Sequence, residues 1–256
     1  MKINTLIALF LICSLVINAQ DIASYPTGVQ KLLKAYPEQI KGYNGSSIIF
    51  TNGTKILYKE GEKKTHEELI NSSDLADIFK YPYLKGKVES IPKNYDPGRI
   101  RNEELLKNMY GSSSAEVQKN LETIIWCPNL VNQKLRVTRI NGVDKQLQKI
   151  SDELDKHPAL KDYLYSAGTF NWRKVRGADR LSSHSFGTAI DLNVKYSNYW
   201  QWDCRCTSED TELKYKNHIP QLIVDIFEKH GFIWGGKWYH YDTMHFEYRP
   251  ELLVEE

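Results

Sequence analysis

The sequence predicts an α+β fold: a small antiparallel sheet with helices packed on one face, preceded by an N-terminal elaboration. Three observations carry that expectation. Ser47-Ile48-Ile49-Phe50 and Lys55-Ile56-Leu57-Tyr58 flank Thr51-Asn52-Gly53-Thr54, and an Asn-Gly pair between apolar runs is a strong hairpin signal. Apolar and polar residues alternate, with the period of a half-buried strand, at 135–140, 189–194 and 244–248. Helical spacing appears instead at Val143, Leu147, Ile150 and Leu154, and again at Leu222, Ile223, Ile226 and Phe227.

In chain order, Lys2, the apolar run Leu6–Ile17 and Ala19 compose a secretory leader, so cleavage near Ala19 and an exported protein are expected. About a dozen apolar residues fall short of the roughly 17 to 25 needed to span a bilayer, so no stable membrane insertion is expected after cleavage. Residues 20–130 carry no assignable motif, and residues 131–256 read as the catalytic domain. Pro82, Pro92 and Pro97 make 81–101 an irregular connection. Short helices are predicted over Asn102–Tyr110 and Ser114–Thr123, then a strand over Leu135–Ile140, an Asn141-Gly142 turn and a helix from Val143 to about Lys156. Asn217 can cap the helix of Leu222 to Phe227, and Gly231 can end it.

With 34 basic and 32 acidic residues the formal charge is +2, so nothing in the balance calls for a nucleic-acid partner. Beyond the leader, Cys127, Cys204 and Cys206 permit one bridge, from Cys127 to either of the others, or a second zinc site.

The chemistry is concentrated in Ser182-Ser183-His184-Ser185-Phe186-Gly187-Thr188-Ala189-Ile190-Asp191 and Asp242-Thr243-Met244-His245-Phe246-Glu247. Two imidazoles and one carboxylate, His184, His245 and Asp191, give Zn²⁺ three protein ligands and leave a fourth corner for water, the mark of a catalytic site. Asp242 is left over as a general base for that water. Strand parity places Asp191 opposite Ile190 and Leu192, and His245 opposite Met244 and Phe246. His184 reaches the same point only if the chain turns near Gly187. A helix-like turn would bring Asp242 beside His245. Glu247 shares His245's face, as a hydrogen-bond acceptor for the imidazole or as a surface carboxylate. Trp234, Gly235, Gly236, Trp238 and Tyr239 either wall a substrate groove or pack a core edge, and His240 reads as a substrate or surface residue.

Ser182-x-His184-x-x-Gly187-x-Ala189-x-Asp191 followed by Asp242-x-x-His245 resembles the signature of zinc peptidases that cut peptidoglycan stem peptides, the D-alanyl-D-alanine carboxypeptidases and L-alanyl-D-glutamate peptidases. The resemblance spans roughly 137–248. It implies one zinc ion per chain on His184, Asp191 and His245, Asp242 as the catalytic acid and base, and an upstream arginine on the substrate. Arg173 in Phe170-Asn171-Trp172-Arg173 is the choice for that arginine, with Arg176 and Arg180 as competitors. The implied partner is a stem-peptide substrate and the expected state a monomer. Two rivals stay open: a non-catalytic zinc-containing cell-wall binding module, and a metal-free glycan hydrolase using Asp191 and Asp242 as paired carboxylates.

Overall fold

The computed structural model describes residues 22–88 and 90–255, so the leader expected at residues 1–19 lies outside the described residues. Its elements are α1 (Thr27–Ala35), β1 (Ile40–Tyr43), β2 (Ser47–Phe50), β3 (Lys55–Leu57), α2 (His66–Asn71), α3 (Glu103–Tyr110), α4 (Ser114–Gln118), β4 (Leu121–Trp126), β5 (Gln133–Thr138), α5 (Val143–Leu154), β6 (Ala189–Asp191), α6 (Trp200–Cys204), α7 (Gln221–Lys229), β7 (Phe232–Trp234) and β8 (His245–Tyr248). The fold is α+β, but the strands form three small antiparallel sheets in place of one: β1-β2-β3, β4-β5 and β6-β8-β7. The last of these carries Asp191 and His245.

The Asn52-Gly53 hairpin forms as expected, Ile48 pairing with Ile56 across it, and β1 adds a third strand that its own four residues do not announce. The helix expected over Ser114–Thr123 stops at Gln118, because Thr123-Ile124-Ile125-Trp126 is β-branched and aromatic and pairs along its whole length with β5. Trp126, fully buried, donates its indole N–H to the Leu164 carbonyl at 2.7 Å. Asn141 and Gly142 then turn the chain with φ of 55° and 68° into α5. Val143, Leu147, Ile150 and Leu154 are all buried there, each contributing about 1.5–3 kcal/mol of apolar burial.

Two other expectations shorten on folding. Asn217 does not cap α7: its side chain accepts from the Ile219 N–H at 2.7 Å, Pro220 precedes the helix, and Leu222 is left 43% exposed while Ile223, Val224, Ile226 and Phe227 are buried. The strand expected to reach Val194 ends at Asp191, since the Asn193 side chain caps a 3₁₀ turn that directs Val194 outward.

One apolar cluster runs from Val29 in α1 to Tyr248 in β8, so α1, β1–β3, α3 and α4 share a core with the site-bearing sheet. Phe227 of α7 stacks on Phe246 of β8 at 4.0 Å between ring centroids, which fastens that helix to the sheet. The cysteines correct an expectation: Cys204 bonds Cys206, two positions on, and Cys127 is free and buried beneath Ser151. Neighbouring cysteines on one tight turn reach each other before either reaches Cys127. Among the described residues no helix is long and apolar enough to cross a membrane.

Candidate metal centre

Asp191 and His245 are direct cross-strand partners in the β6-β8 ladder, so sheet pairing alone sets their side chains next to each other. His184 arrives from the 3₁₀ turn Ser183–Phe186, whose start is capped by the Ser182 hydroxyl and whose end is Gly187 at φ 67°. That left-handed residue supplies the reversal strand parity demanded. A Cβ at Gly187 would come within 2.7 Å of Leu121 Cδ2 and 3.1 Å of the Thr138 nitrogen, while the Gly187 carbonyl accepts from that same Thr138 N–H at 3.0 Å. Gly187→Ala is therefore expected to destabilise the protein by about 1–3 kcal/mol and to weaken metal binding with it, measurable by denaturant unfolding and by zinc titration.

His184 Nε2, Asp191 Oδ1 and His245 Nδ1 lie 3.0–3.3 Å from one another. A tetrahedron with zinc–ligand bonds of about 2.0–2.1 Å has edges of about 3.3 Å, so the three atoms already occupy three of its corners. The remaining ring nitrogens fix the tautomers. His184 Nδ1 donates to the Thr169 carbonyl at 2.5 Å, and His245 Nε2 donates to Glu247 Oε2 at 3.1 Å, with Ser183 Oγ at 3.2 Å. Both nitrogens facing the centre then carry lone pairs, and beside a carboxylate oxygen such a group is complementary only to a cation. The surroundings favour positive charge at this point: burial opposes charge on His245, yet Asp191 and Glu247 outweigh it and hold its pKa up at about 9, so without a metal a proton on His245 takes the cation's place. Burial would raise the Asp191 carboxyl, but His184 and His245 pull it well below the usual carboxylate range. The donor set fits zinc.

Asp242 sits in the turn before β8, where its carbonyl accepts from the His245 N–H at 3.2 Å, the helix-like offset expected of it. Its Oδ1 is buried without a hydrogen-bond partner. Burial first, and the charge of Asp191 second, push its pKa up to about 7, the range a residue needs to both take and return a proton. Glu247 is fully buried, which removes the surface reading and leaves it as the acceptor for His245.

The cleft over these residues, of about 100 Å³, is lined also by Arg99, Arg101, Arg173, Arg180, Tyr199 and Trp238. Arg173 is exposed at its rim, its guanidinium reaching only the Lys174 carbonyl at 3.4 Å. Arg180 is buried, bonds the Arg99 carbonyl at 3.2 Å, and leaves its Nε unpartnered. Burial and the flanking Arg101 and Arg99 lower its pKa. Trp238 walls the cleft 5.6 Å from the His245 ring, whereas Trp234 packs on Phe246, so the aromatic loop serves both groove and core.

Sequence reasoning missed the contribution of residues 66–101. His240 is buried, which removes the surface reading; it lines the cleft, and its backbone N–H and Nδ1 bond Asp96 at 2.9 and 2.6 Å. His66 and Glu209 join that pair to make a second convergence of metal-type side chains. Arg99 already stands within it, its Nη1 2.9 Å from Asp96 and 3.1 Å from Glu209, so a fixed cation bridges those carboxylates. No local motif marks these residues, because Arg99 and Glu209 lie 110 positions apart and Asp96 and His240 lie 144 apart.

Residues 176–248 match the D-alanyl-D-alanine carboxypeptidase family model. The matched stretch holds His184, Asp191, Asp242 and His245, together with Arg176 and Arg180, and begins after Arg173. It is shorter than the span of roughly 137–248 over which the sequence resembles the family, so β5 and α5 lie outside it. Comparison with curated proteins and with solved structures finds no match. The matched stretch contains the sheet β6-β8-β7, the turn of His184 and helices α6 and α7, whereas Arg99, Arg101 and Arg173 of the cleft lie outside it.

Proposed function

We propose that this chain is an exported, monomeric zinc metallopeptidase that hydrolyses peptidoglycan stem peptides, of the D-Ala-D-Ala carboxypeptidase type. The observation that carries the reading is the triangle of His184 Nε2, Asp191 Oδ1 and His245 Nδ1, beside a partly buried carboxylate held near neutral pKa. One zinc ion held by those three residues would supply Lewis acidity, polarising the scissile carbonyl and acidifying water.

The chain's own groups do the rest. As water adds to the carbonyl carbon, its proton passes to the Asp242 carboxylate; as the C–N bond breaks, Asp242 returns that proton to the departing amine nitrogen. One carboxylate serves both transfers. The unpartnered Oδ1 leaves a lone pair free for the first of them. Arg173, free at the rim, is assigned to the substrate's developing oxyanion. Arg173→Ala is expected to lower kcat by about 10² to 10³ with zinc content unchanged. Should Arg180→Ala show that loss and Arg173→Ala not, the contact belongs to Arg180.

The experiment that tests the reading is mass spectrometry of products from defined muropeptides, with and without a chelator. Loss of the terminal D-Ala alone, abolished by chelation and restored by zinc, is the expected result. Release of a peptide from L-Ala would make the enzyme an L-alanyl-D-glutamate endopeptidase. Chelator-resistant cleavage of the glycan would overturn the zinc reading in favour of paired carboxylates. Zinc binding with no hydrolysis of any muropeptide would leave a non-catalytic cell-wall module.

A further inference from the structure

The segment Asp96–Asn102, well before the family match, reaches into the metal centre at several points. Asp96 holds His240, Arg99 holds Glu209 with Nη2 at 2.6 Å from Oε1, and the Arg99 carbonyl holds Arg180. Arg101 goes furthest in. Its Nε lies 3.1 and 2.9 Å from the two Glu247 oxygens, its Nη2 also bonds Oε2, and its guanidinium lies 5.7 Å from the Trp238 ring centroid.

We propose that Arg101 is a positioning residue of the metal centre, acting through Glu247 on the zinc ligand His245; the inference rests on the zinc reading above. Glu247 is fully buried, and its carboxylate has three neighbours: Arg101, Arg249 Nη1 at 3.1 Å, and His245 Nε2 at 3.1 Å. A carboxylate has two oxygens and can turn about its last bond. The Arg101 fork meets both oxygens at once and fixes their plane, as a point charge does not. With the plane fixed, Oε2 accepts the His245 Nε2–H, and the His245 Nδ1 lone pair faces His184 and Asp191. Without Arg101 the carboxylate can turn toward Arg249, and the imidazole loses the acceptor that orients it. Arg249 in turn donates to Glu251, which accepts the Tyr36 hydroxyl, so the metal ligand is braced by residues from both ends of the described chain.

The test measures zinc affinity of the full-length chain by competition with a chromophoric chelator, alongside circular dichroism, melting temperature and kinetics on the muropeptide it cleaves. A folded Arg101→Met protein is expected to bind zinc about 10- to 100-fold more weakly, the usual effect of losing a residue that orients a ligand. Arg101→Lys, which keeps the charge and loses the fork, should fall between that and the parent. Arg101→Met with parental zinc affinity would overturn the inference. So would a raised KM with unchanged zinc affinity, which would mark Arg101 as a substrate contact. If Arg101→Met does not fold, Arg101→Lys decides: parental affinity refutes positioning and weaker affinity supports it. A parent chain that binds no zinc would refute the zinc peptidase reading itself, and this inference with it.

Discussion

Asp242→Asn is expected to lower kcat on the cleaved muropeptide by about 10² to 10⁴ while zinc is retained at full stoichiometry. The asparagine amide has the same shape and can occupy the same turn, whose His245 N–H bond is made by the backbone. What it lacks is the capacity to accept and return a proton. The three ligand atoms belong to other residues, so metal content measured by atomic absorption should match the parent's. Loss of zinc together with activity would instead make Asp242 part of the ligand set. The same substitution has a second signature in the zinc-free protein. Burial and the Asp191 charge disfavour ionised Asp242, so Asp242→Asn should raise the melting temperature of the zinc-free chain above pH 7 and leave it little changed near pH 4.

Removing zinc should abolish hydrolysis and lower stability, the latter by an amount that depends on pH. At free zinc about 1,000-fold above Kd, binding adds about 4 kcal/mol, on the order of 10 °C in melting temperature for a chain of this size. In the zinc-free protein two raised pKa values act in the same direction. Asp242, at about 7, gives stability that is complete below its unfolded value near 4 and lost as pH rises through 7. His245, at about 9, gives stability that is complete below about 6.5 and lost as pH rises through 9. Zinc must displace the proton from His245, so its own contribution grows over that interval. Calorimetry with and without zinc at pH 5.5, 7 and 8.5 should show the gap in melting temperature widening. A constant gap would mean that neither group is coupled to the metal.

The convergence of His184, Asp191 and His245 was legible because each of its parts obeys a local rule. Asp191 and His245 sit at positions where period-two alternation shows which face a side chain takes, and Gly187 marks the turn that His184 needs. The hairpin at Asn52-Gly53 and the helix from Val143 were legible for the same reason. What stayed hidden depends on partners distant in the chain. Leu121–Thr123 reads as the end of a helix until β5 is placed beside it, and Val194 reads as strand until Asn193 caps a turn. Asp96, Arg99 and Arg101 look like charges on an irregular loop, and only folding sets them against His240, Glu209 and Glu247. The peptide chemistry was carried by spacing; the bracing of that chemistry was carried by tertiary contact alone.

If Asp191 and His245 hold zinc as proposed, their pairing in one rung of the β6-β8 ladder ties metal uptake to fidelity of folding. A slip of one residue would turn Asp191 and His245 to opposite sides of the sheet, and would at the same time expose Ile190 or Phe246, both fully buried in the native register. On the proposed zinc reading, a misregistered chain would forfeit its core and its metal site together. Zinc retained through a desalting column becomes an assay for correct strand pairing, and zinc present during refolding selects the native register from its neighbours.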